Sequence, residues 1–105
     1  MYNDKKMKRG ANMSDNQLLR KRINFYGRVQ GVGFRYTAFQ AAREAKATGW
    51  VRNEFDGSVT MEIQGREEQI DRVLQTMQSA KYIRINRMEC QTINPVADEK
   101  KFGVR

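Results

Sequence analysis

Between Ile23 and Ala45 the spacing of the apolar side chains changes from two residues to three and four, and glycines stand at the change. Ile23, Phe25, Gly27 and Val29 alternate with Asn24, Tyr26 and Arg28, the pattern of a strand with one covered face. Gln30-Gly31-Val32-Gly33 then reads as a turn, and Phe34, Ala38, Ala41, Ala42 and Ala45 fall at helical spacing. A strand that feeds a helix through so short a glycine turn must pack that helix back on its own sheet. The spacing predicts a helix from Phe34 to Ala47, ended by Gly49.

The same alternation recurs downstream. Trp50, Val51, Arg52, Asn53 and Phe55 read as a second strand, with Asn53 on the face of Val51 and Phe55. Asp56-Gly57 marks a tight hairpin turn, and Val59, Met61 and Ile63 alternate with Thr60, Glu62 and Gln64 on the way back. Glu67 and Glu68 sit where a helix start favours negative charge, and Ile70, Val73, Leu74, Met77 and Ala80 make one apolar stripe. A fourth strand is expected from Arg84 to Thr92, with a bulge where its parity slips between Ile85 and Met88. A short strand ending in Phe102-Gly103-Val104 closes the chain. The order β-α-β-β-α-β predicts an α+β, ferredoxin-like sandwich with both helices on one face of an antiparallel sheet, plus that C-terminal strand.

Composition narrows the chemistry. With 105 residues there is room for one domain. The chain contains no histidine, which removes histidine acid–base catalysis, Ser-His triads and most zinc sites. Its one cysteine, Cys90, alternates with Met88 and Thr92 and is expected to pack in the fourth strand; no metal site and no cofactor are implied. No apolar run is long enough for a membrane span, and a cytoplasmic location is expected. The formal net charge is +8, but seven of the 20 basic residues lie in positions 1–22 beside only two acids. Residues 1–21 are therefore expected to form a basic, disordered extension ahead of a domain spanning 22–105.

The residues that could carry chemistry lie at the first turn. Two glycines let successive N–H groups point at one spot, and a helix N-terminus adds unpaired donors and a partial positive charge. Arg35, in the first turn, can fork two hydrogen bonds onto an anion. Taken alone, these residues leave two readings open: a cradle for phosphate or carboxylate, or an ordinary glycine turn followed by an arginine in solvent. Asn53 is similarly double, a polar side chain in a strand that either bonds a turn or serves a site. Glu54 and Asp56 read as solvated turn residues, and Trp50, Tyr26 and Tyr36 as packing residues.

As a string, Gly27-Arg28-Val29-Gln30-Gly31-Val32-Gly33-Phe34-Arg35 resembles the first signature of the acylphosphatase family. Gly49-Trp50-Val51-Arg52-Asn53, followed by Asp56-Gly57-Ser58-Val59, resembles the second. The resemblance covers residues 22–105 and implies hydrolysis of acyl phosphates to a carboxylate and inorganic phosphate, without metal. By motif position it implies that Arg35 binds the phosphoryl group, that backbone N–H groups of Gly31, Val32, Gly33, Phe34 and Arg35 line the cradle, and that Asn53 holds the attacking water. The implied partner is a small acyl phosphate, with no membrane, no specific nucleic acid, and a monomeric protein expected.

The missing histidine fits such a substrate. Its leaving group is a carboxylate, whose conjugate acid has a pKa of about 4, so it departs without a general acid. The alternative is a ferredoxin-like module that binds RNA or anions without catalysis. RNA-binding domains of this topology stack bases on aromatics in the first and third strands, and Val59–Gly65 has none.

Overall fold

A computed structural model describes residues 17–105; the expectation for residues 1–16 lies outside them. Seven elements follow in the anticipated order: β1 (Leu19–Arg28), α1 (Phe34–Ala45), β2 (Thr48–Asn53), β3 (Val59–Gly65), α2 (Glu67–Ser79), β4 (Arg84–Ile93) and β5 (Phe102–Val104). They form one five-stranded sheet ordered β4-β1-β3-β2-β5. β1, β2, β3 and β4 pair antiparallel, whereas β5 runs parallel to β2, with Gly49 opposite Phe102. The sheet is therefore mixed rather than antiparallel throughout. No helix among the described residues is long and apolar enough to cross a membrane.

The apolar stripes read from the sequence meet in one core. Ile23 and Phe25 of β1, Met61 and Ile63 of β3, Ala38 and Ala42 of α1, and Ile70, Val73 and Met77 of α2 are all fully buried. Phe34 packs its ring against Phe25, with centroids 4.9 Å apart, which pins the start of α1 to β1.

Four local expectations change. β1 begins at Leu19, four residues before the alternation alone starts it, because Arg20 is drawn into the structure. Its side chain is 2% exposed and bonds Glu62 at 2.8 Å, Glu99 at 2.7 Å and Gln64 at 3.0 Å. Gln64 also bonds the N–H and carbonyl of Val96, so the loop after β4 covers part of the sheet face opposite the helices. α1 stops at Ala45, and Lys46, not Gly49, takes the left-handed turn, with φ 61°. Gly49 instead lies inside β2, where an added Cβ would stand 1.9 Å from the carbonyl oxygen of Glu62.

The second strand ends at Asn53, leaving Phe55 in the turn and fully exposed rather than on the core face. Cys90 is exposed, not packed, and lies in β4 at the edge of the sheet. The anticipated bulge is present: the register jumps from Tyr26 opposite Arg87 to Gly27 opposite Ile85, leaving Asn86 extra.

Candidate active site

The turn between β1 and α1 holds Gly31 at φ 74° and Gly33 at φ 78°, left-handed values that cost a side-chain-bearing residue roughly 1–2 kcal/mol. Nothing lies within 4 Å of a Cβ built on either, so the requirement is backbone conformation and not space. Gly33 is the N-cap of α1; no side chain caps the helix and no acid stands in its first turn. Thr37 donates to the carbonyl of Gly33 at 3.0 Å, while the loop and cap bonds of the described residues use none of the N–H groups from Gly31 to Tyr36. The same turn borders a cleft of about 180 Å³ lined by Val29, Gly31, Gly33, Phe34, Arg35, Tyr36 and Asn53.

The cleft thus brings together Arg35 and Asn53, which are 18 positions apart in the chain, with three of the expected cradle residues. Val32, expected among them, lines the adjoining hollow with Arg28, Gly31 and Tyr82 instead. The geometry depends on Gln30, whose side-chain amide donates to the carbonyls of Glu54 and Ser58, both at 2.8 Å. That pair of bonds ties the glycine turn to the β2–β3 hairpin, and so to the end of β2 where Asn53 sits. Among the described residues the Asn53 amide makes no hydrogen bond within the chain, and Arg35 makes one, from Nη1 to the carbonyl of Arg105 at 3.2 Å. The remaining guanidinium donors of Arg35 are available to a ligand.

Arg105 is itself held in place. Its N–H donates to Val51 at 2.8 Å, and its guanidinium lies 4.4 Å from the Trp50 ring centroid. The hairpin acids are engaged within their turn. Ser58 holds the Asp56 carboxyl below its ordinary value by side-chain and backbone hydrogen bonds, the latter at 2.9 Å. Thr60 and then Arg52 lower Glu54, which pairs with Arg52 at 3.1 Å.

Sequence reasoning missed three contributors. Tyr36, read as packing, is 67% exposed and lines the cleft. Gln30 was visible in the motif but carried no sign of its hairpin partners. Arg105 lies 70 positions from Arg35, and nothing in its own neighbourhood marks the contact.

An uncapped helix start at a glycine turn, an arginine bonded to one backbone carbonyl and an unbonded asparagine side chain meet at this cleft, and comparison with known proteins specifies the class. The acylphosphatase family model matches residues 21–104. An acylphosphatase of Oceanobacillus iheyensis is 42% identical over 86 residues, spanning 80% of this chain and 94% of that protein. One from Geobacillus kaustophilus is 40% identical over 79 residues, spanning 74% and 84%. The crystal structure of acylphosphatase from Bacillus subtilis superposes with a TM-score of 0.77 at 28% identity, covering 83% of this chain and 98% of that one. Full-length HypF in its phosphate- and nucleotide-bound form matches with a TM-score of 0.73 at 25% identity; 85% of this chain corresponds to 12% of that one. This chain belongs to the acylphosphatase family.

Proposed function

We propose that the protein hydrolyses acyl phosphates to a carboxylate and inorganic phosphate at the β1–α1 turn. The observation that carries this reading is that Arg35, Asn53 and the glycine turn line one cleft. The phosphoryl group sits against the N–H groups of Gly31, Val32, Gly33, Phe34 and Arg35, where the helix N-terminus and the Arg35 guanidinium balance its charge. Asn53 holds a water in line with the bond to be broken. The water oxygen bonds to phosphorus, the phosphorus–acyl oxygen bond breaks, and the electron pair leaves on the carboxylate. The water proton passes to a phosphoryl oxygen.

Such a transfer needs positioning and charge stabilisation rather than a covalent intermediate or a metal. The open sheet face gives little support to the RNA-binding alternative. Trp50 is 7% exposed beneath Arg22, Arg52 and Arg105, and Arg87 covers Tyr26 at 4.1 Å.

The test is phosphate release from benzoyl phosphate in the presence of EDTA by the wild type, Arg35→Ala and Asn53→Ala, with folding followed by circular dichroism. Wild-type turnover reduced about 10³-fold or more by Arg35→Ala, and about 10²–10³-fold by Asn53→Ala, supports the reading. No turnover by folded wild type overturns it.

A further inference from the structure

Two hollows adjoin the active-site cleft beside α1 and β5, and the farther of them is strongly basic. Three hollows are chained by shared walls. The cleft shares Arg35 and Tyr36 with a hollow of about 420 Å³ completed by Phe39 and Val104. That hollow shares Phe39 with another of about 380 Å³, floored by Phe102 and rimmed by Arg43, Lys46, Lys100 and Lys101. The middle of the track is apolar, and both ends are cationic.

Arg43 and Lys46 have a local reason to be where they are, since cations complement the C-terminal end of α1. That reason does not extend to Lys100 and Lys101, which come from the segment before β5. Among the described residues none of the four is in an ion pair, although other surface arginines pair with acids at Glu54, Glu68 and Glu89. Four like charges around one hollow repel one another, and an anion placed among them relieves that repulsion.

We propose that the three hollows form one groove, the acyl-group track, and that Arg43, Lys46, Lys100 and Lys101 bind a second anionic group at the far end of the substrate. The proposal rests on the phosphoryl group occupying the cleft. From Arg35 to Arg43 the helix rises about 12 Å, at 1.5 Å per residue. The substrate class is therefore an acyl phosphate whose acyl part is apolar for about eight to ten carbons and ends in a carboxylate or phosphate. Short acyl phosphates fill the cleft and leave the track empty.

Stable phosphonates test this by calorimetry, independently of turnover. The probes are methylphosphonate, nonylphosphonate and a nine-carbon phosphonate ending in a carboxylate. The apolar track makes nonylphosphonate bind about tenfold more tightly than methylphosphonate, and the terminal carboxylate adds about another tenfold. In Lys100→Gln/Lys101→Gln the carboxylate preference collapses to about twofold or less, and Lys100→Arg/Lys101→Arg restores it.

Equal binding of the two nine-carbon probes by the wild type overturns the proposal. So does a double-glutamine variant that weakens both probes equally, because that is the signature of a general field. If the three phosphonates bind in the expected order but benzoyl phosphate is not hydrolysed, the hydrolytic reading falls and the groove stands. If none binds, the occupied cleft on which the groove depends falls with it.

Discussion

The two helices of this domain begin in opposite ways. α2 closes its own N-terminus: the Gln69 side chain accepts from the N–H of Arg66 at 2.7 Å, and Glu67 and Glu68 place negative charge in the first turn. α1 has neither device. Gly33 offers no side chain, no acid stands in the first turn, and the turn borders a cleft. Both helices carry the same backbone field, worth about half a charge at each end. A helix start becomes a site when the chain withholds its own caps and aims the turn at a hollow; otherwise the donors are consumed internally and contribute stability.

The comparison can be broken most forcefully at Arg35. Arg35→Lys keeps the charge but loses the planar fork, and kcat/KM for benzoyl phosphate is expected to fall about 10²-fold or more. A drop below threefold would show that charge alone suffices and that the open helix start carries most of the binding. Tyr36→Glu comes next, because it gives α1 the acid that α2 already has. Inhibition by inorganic phosphate should weaken about tenfold or more, while stability rises by about 0.3–1 kcal/mol, measured by urea denaturation. Function and stability moving in the same direction would contradict the contrast.

The reverse experiment is smaller. Gln69→Ala removes the partner of the Arg66 N–H at the start of α2, together with a bond to the Ala45 carbonyl, and should cost about 1–3 kcal/mol with kcat unchanged. The smallest effect concerns pH. Burial pulls the Glu62 carboxyl upward, but hydrogen bonds from Arg20 and Arg22 outweigh it and hold it below its ordinary value of 4.5. A lowered carboxylate contributes stability that is present above that value and is lost as pH falls through the folded-state value. Glu62→Gln should therefore lower the urea midpoint at pH 7, with the gap from wild type closing below pH 4.5. A gap independent of pH would assign the loss to packing.

Much of this was legible along the chain because it rests on local chemistry. The change of period at Gly31 and Gly33 locates the start of α1, and the parity slip before Met88 locates the bulge in β4. Arg35 and Asn53 are marked by motif, and the structure lines one cleft with both. Other features were not legible, because their causes lie across the sheet. Gly49 looked like a helix stop but is needed where β2 approaches Glu62. Lys46 took the left-handed turn instead, with Ala47 donating back to Ala42 at 2.9 Å. Phe55 and Cys90 alternate correctly with their neighbours, yet the strand before the first stops at Asn53 and the strand containing the second lies at an edge.

The sequence by itself determined the order of elements, the glycine turn and the open start of α1, since backbone conformation and amphipathic spacing act over a few residues. Tertiary structure alone decided that Gln30 would tie that turn to the hairpin, that the carbonyl of Arg105 would hold Arg35, and that Lys100 and Lys101 would gather beside Arg43 and Lys46. These contacts join segments 24 to 70 positions apart. The pairing of β1 beside β3, of β3 beside β2 and of β2 beside β5 brings such distant segments within reach of one another.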